Sequence, residues 1–134
     1  MSHFEKVKGY LVELGHEIKE EYPTEGMFVI NNEDQGINNM VLDCEDNLLV
    51  VEQKLLEVVV DDPQLFKQLL QINRNLIFGA FVLDETGKNL IFRDTLELEN
   101  LDLNELEASL SALAMGLVES MDLLMALAGE ADKA

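Results

Sequence analysis

With 134 residues and a mass of 15.1 kDa, the chain has the length of one domain built on one hydrophobic core. Apolar residues make up 48% and charged residues 27%, the balance of a folded globular protein rather than a disordered one. Acidic side chains outnumber basic ones 27 to 9, for a formal charge of −18, a field that repels nucleic acid and anionic membrane.

Ser2-x-x-Glu5 matches a capping box, and Phe4, Val7, Leu11 and Leu14 follow at spacings of three and four. The pattern predicts an amphipathic helix over residues 3–15, with Gly15 placed for a left-handed cap. Ile18, Glu20 and Tyr22 alternate with charged neighbours, and Pro23-Thr24-Glu25-Gly26 marks a turn. Met27-Phe28-Val29-Ile30 reads as a short strand, Asn31–Gly36 as a polar loop, Met40–Cys44 as a second strand and Leu48–Val51 as a third. Glu52–Val60 fits a continued strand or a short helix, with strand the better reading.

Asp61-Asp62-Pro63 opens a second helix, because an aspartate cap precedes a proline whose missing N–H costs nothing at the first helical position. Leu65, Phe66, Leu69, Leu70 and Ile72 give its apolar face, and Asn73-Arg74-Asn75 ends it. Ile77–Leu83 is apolar almost throughout, the pattern of a central strand covered on both sides. A hairpin turn at Asp84–Lys88 leads to a return strand with Leu90, Phe92, Leu96 and Leu98 on one parity. Asp94 falls on that dry parity, so a bulge or strand end is expected there. Asp102-x-x-Glu105 is a second capping box, followed by Leu106, Leu110, Leu113, Leu117, Met121, Leu124 and Ala128 over about six turns. The order is helix, three strands, helix, two strands, helix: an α+β domain spanning 1–134, its antiparallel sheet packed by helices.

Sites for chemistry are not legible. His3 and His16 lie at opposite ends of the first helix and Cys44 stands alone, so no zinc spacing exists, and one cysteine forms no internal disulfide, as fits a reducing cytosol. A calcium loop with Gly36 at its sixth position would need an acid at residue 42, which is Leu42. None of Ser2, Ser109, Ser111 and Ser120 sits in a strand–turn–helix elbow, and Asp43 and Glu45 work against a reactive Cys44 thiolate. The eight glycines are scattered, with no phosphate loop. The N-terminus lacks the basic and greasy regions of a secretory signal, and no uninterrupted apolar run nears a membrane span. The expectation is a protein that is not an enzyme, needs no metal and no cofactor, and binds neither nucleic acid nor membrane.

The last helix goes beyond the generic. It carries Met115, Met121 and Met125, with leucines on more than one face, which fits a helix covering the sheet or one that also offers apolar surface to a partner. From Asp94 onward ten acids face one base, Lys133. That excess serves as a solvated helix surface or as a lure for basic partner segments.

The segment Leu69-Leu70-Gln71-Ile72-Asn73, then Gly79-Ala80-Phe81-Val82-Leu83-Asp84, a turn and Leu90-Ile91-Phe92, resembles the type III secretion chaperone-like superfamily of Tir-type chaperones and YbjN-like proteins. Element order, acidity and the long final helix are similar as well. The resemblance implies a cytoplasmic, non-enzymatic homodimer that binds an extended segment of a client protein. Its YbjN-like branch implies instead a regulatory domain that binds a folded partner. Apolar residues expected to face outward and line the partner site are Phe28, Ile30, Leu49 and Val51 on the strands, and Met121, Leu124 and Met125 on the last helix.

Overall fold

A computed structural model describes residues 2–130. Helix α1 spans His3–Glu13, with the Ser2 hydroxyl accepting the Glu5 amide at 3.1 Å. Four strands follow: β1 (Glu17–Tyr22), β2 (Met27–Asn32), β3 (Ile37–Glu45) and β4 (Leu48–Glu57), with a single 3-10 turn at Glu33–Gln35. Helix α2 (Pro63–Asn73) crosses over to β5 (Ala80–Leu83), which turns back into β6 (Asn89–Glu97), and α3 (Leu103–Leu127) closes the chain. The fold class is the expected one, α+β with helices on an antiparallel sheet. The strand count differs, because the charged Glu17–Tyr22 segment pairs with β2 as an edge strand.

All six strands are antiparallel, in the order β1-β2-β3-β4-β6-β5. Register puts Phe28 opposite Leu42, Leu42 opposite Val51, and Val51 opposite Asp94, so one face collects the large apolar side chains. Phe4 of α1 stacks on Phe28 with ring centroids 4.3 Å apart. Gly116 brings α3 down onto Phe81 and Phe92, so closely that a Cβ there would lie 3.2 Å and 3.3 Å from the two rings. The helices thus cover one face, and the core lies between them and the sheet. The other face carries Val29, Val41 and Val50 between Asp43, Thr95 and the Glu52–Arg93 ion pair at 3.3 Å, the alternation of a sheet with one wet side.

Three local expectations are corrected. β5 is an edge strand of four residues, not a central one from Ile77, because Gly79 at φ +75° breaks the extended backbone and leaves Ile77 87% exposed. Asp94 sits in continuous register; its Oδ2 accepts the Ser109 hydroxyl of α3 at 2.7 Å, so a hydrogen bond rather than a bulge accommodates the carboxylate. The irregularity lies between Lys54 and Leu56 instead, and the strand reading of Glu52–Val60 holds as far as Glu57.

Both remaining caps form as read. The Asp62 carboxylate accepts the Gln64 amide at 2.9 Å, and at α3 Asp102 accepts from Glu105 N at 2.7 Å while Glu105 accepts from Asp102 N at 3.1 Å. In the β5–β6 hairpin, bonds from Asn89 and Thr86 hold the Asp84 carboxyl down at about 2.

Candidate protein-binding surface

The expected partner site divides on burial. Phe28, Ile30, Leu49 and Val51 do share one face of the sheet, but it is the helix-covered face, and all four are core residues. Leu124 is likewise turned inward. Exposing any of these five means lifting a helix off the sheet, so their outward placement is corrected. Met121 and Met125 remain at the surface, 48% and 40% exposed. The separation follows from helix geometry: going round the axis, residue 125 lies about 40° to one side of 121 and 124 about 60° to the other, so 124 is about 100° from 125 and faces the sheet with Leu113 and Leu127.

Beyond those two methionines, α3 exposes Met115 at 65% and Val118 at 82%. Together the four form a stripe along the outer side of a helix whose inner side packs on the sheet. By length and composition α3 would suffice to cross a membrane, with a mean hydropathy of 1.6 over its most apolar window, but 44% of that window is buried within the fold. At its N-terminal half the stripe meets the α2–β5 connection, where Leu76, Ile77 and Phe78 approach Ala108, Ala112 and Met115. These residues border an apolar depression of about 240 Å³, with Glu119 at its rim. Short side chains on α3 open it and the loop supplies its far wall. Gly79 produces this wall, since its left-handed backbone turns the chain out of extended geometry immediately after Phe78.

Sequence reading missed Ile77 and Phe78, which looked like strand, and Val118; it singled out Met115 with the other α3 methionines but did not place it among the partner-site residues. The available signal was the surplus on α3: apolar residues around more of its circumference than one buried face uses.

The two sheet edges differ. At β5, the Asn73 side chain donates to Phe81 O at 3.0 Å and accepts from Phe81 N at 2.8 Å, occupying backbone groups at the middle of the strand that a further strand would use. At β1 the edge is lined by exposed charged side chains, including Glu17, Lys19, Glu20 and Glu21, and Lys8 of α1 reaches Glu21 at 3.1 Å. A polar hollow of about 710 Å³ opens beside β1, bordered by Glu17, Asn31, Asn32, Glu33, Asp34 and Asn38. Behind it His16 is buried and its Nδ1 accepts from the Asn32 side-chain amide at 3.2 Å. Burial holds the His16 pKa below its ordinary value.

The nucleophile candidates have other partners or the wrong ionisation. Burial and then Asp43 push the Cys44 thiol up to about 11, and Ser120 donates to Gly116 O at 2.6 Å inside α3. What the surface combines is uncovered apolar side chains on an acidic helix, and that arrangement is suited to holding another polypeptide.

Comparison with known proteins agrees. Residues 1–130 match the CesT_Tir_1 family, a type III secretion chaperone family, and the chain belongs to it. The fold is similar to that of ExsC–ExsE (TM-score 0.66, 21% identity, 92% of this chain and 97% of the other). It is also similar to YbjN from E. coli, a putative transcription regulator (TM-score 0.64, 17% identity, 88% and 90%). A third likeness is to the HopA1–SchA chaperone–effector complex (TM-score 0.62, 18% identity, 87% and 91%). Among curated proteins none matches the chain.

Proposed function

We propose that this chain is a non-enzymatic, cytoplasmic protein-binding module, one domain over residues 1–134, that works as a homodimer and holds an extended segment of a client protein. The observation that carries this reading is the apolar surface left uncovered on α3 and the α2–β5 connection, in a family of secretion chaperones. Met121 and Met125 belong to that surface, and methionine suits it because an unbranched thioether repacks against different partners. The charge of −18 favours protein over nucleic acid or anionic lipid. The partial burial of α3 against the sheet favours a core helix over a membrane span. Of the two sheet edges, β1 is the one available for strand addition, since Asn73 occupies β5.

A second reading draws on the likeness to YbjN: a regulatory domain that binds a folded partner. Light scattering during size exclusion, followed by limited proteolysis of the copurified complex, separates the two. The chaperone reading predicts a dimer near twice the 15.1 kDa chain mass that protects a short continuous stretch of an otherwise digested partner. Protection of a whole folded domain supports the regulatory reading. A monomer at micromolar concentration with no copurifying protein contradicts both.

A further inference from the structure

The protein-binding reading leaves open what chemistry the client presents to the depression beside α3, and its size and charge answer that. A volume of about 240 Å³ is below the ~300–1,000 Å³ of pockets that enclose whole small molecules. It is the size of a socket for an anchor side chain, the unit around which protein interfaces concentrate their binding energy. Asn75 and Ser111 contribute to its lining, but Leu76, Ile77, Phe78, Ala108, Ala112 and Met115 make most of it apolar, so the anchor is apolar.

Charge then distinguishes a foreign segment from a second copy of the chain. Glu119 stands at the socket's rim and Glu107 adjoins Ala108 on the same helix. Over its whole length, Leu103–Leu127, α3 carries Glu105, Glu107, Glu119 and Asp122 and no basic residue. Arg74, at the end of α2, is the cation next to the connecting loop. Two copies meeting through this face would set acidic helix against acidic helix, and like charges brought together at a partly dehydrated interface oppose association. A segment with lysine or arginine around an apolar anchor meets the opposite situation: the anchor fills the socket, and its flanks lie against Glu107, Glu119 and Asp122.

Resting on the protein-binding reading, we propose that the socket between the α2–β5 connection and α3 receives an apolar anchor side chain from a basic segment of a partner protein. The exposed Met115 and Val118 continue the contact along α3.

The test measures fluorescence anisotropy of three short labelled peptides on the full chain: leucine–lysine, a serine–lysine analogue of equal charge, and a leucine–glutamate analogue. The leucine–lysine peptide is expected to bind at least about tenfold tighter than either analogue. Ala112→Phe, which fills the socket, and Met115→Gln, at a largely exposed position, are each expected to weaken that peptide about tenfold. Neither should alter the residual binding of serine–lysine, and both should keep the wild-type thermal midpoint. Equal binding of the two lysine peptides would reduce the effect to bulk charge and overturn the proposal. So would a preference for leucine–glutamate, or tight binding indifferent to both substitutions. A wild-type dimer that ignores the leucine–lysine peptide, and that Ala112→Phe converts to monomer, would give the socket to a second copy. Failure of the parent reading is seen separately, as no protein copurifying with the wild-type chain whatever the peptides do.

Discussion

Asn73 ends α2 and closes a sheet edge with the same side chain. Its amide satisfies both Phe81 N and Phe81 O, so β5 is finished by a helix residue where another protein would supply a strand. Replacing it by alanine leaves two part-buried backbone groups without partners. Asn73→Ala is therefore expected to lower stability by about 1–3 kcal/mol in urea denaturation, and a change under about 0.5 kcal/mol would show that water replaces it freely. His16 gives a second residue-scale effect. It is buried as the neutral imidazole, so the unfolded chain takes up a proton more readily, near the ordinary value of 6.5, than the folded one. This contribution to stability is present above about pH 6.5 and is lost as pH falls through the lowered pKa. Relative to His16→Gln, the wild type should lose urea-midpoint stability between about pH 7.5 and about pH 5.5. Parallel pH profiles for the two proteins would contradict that assignment.

Among the elements, the caps were legible because their information is local. Asp102 and Glu105 stand three residues apart and bond reciprocally, while at Ser2 and Glu5 the serine half of the same device forms. Strand parity was legible too: Phe28, Ile30, Leu49 and Val51 do line one face. Which face the helices cover is a long-range outcome of α1 docking on Phe28 and α3 on Phe92, and no spacing within a strand encodes it. The same reason explains Ile77 and Phe78. Six apolar residues around a single glycine describe a buried strand unless Gly79 adopts a positive φ, and only the turn reveals that it does. Gly79→Ala tests this directly. A Cβ there would lie 2.5 Å from the Phe92 ring on a backbone at φ +75°, so a loss of about 1–3 kcal/mol is expected. Chemical denaturation indistinguishable from wild type would mean that the connection relaxes without cost.

For the whole molecule, the division of labour is spatial. One face of the sheet is consumed in making the core, and what the core leaves over is the open sheet face, the outer side of α3, the connection after α2 and the charged edge at β1; the proposed function puts partner binding on α3 and its neighbouring loop. Under that proposal the long final helix has two occupied sides in the working state, one against its own sheet and one against a partner. The most direct measurement places a photo-crosslinking amino acid at Val118, at Ile77 and, as control, at exposed Thr95 on the open sheet face, in cells that make the protein. Crosslinks to a protein partner from positions 118 and 77 and none from 95 are the predicted result. Crosslinks from 95 alone, or none from any of the three, would contradict the assignment of α3 and its neighbouring loop as the binding surface.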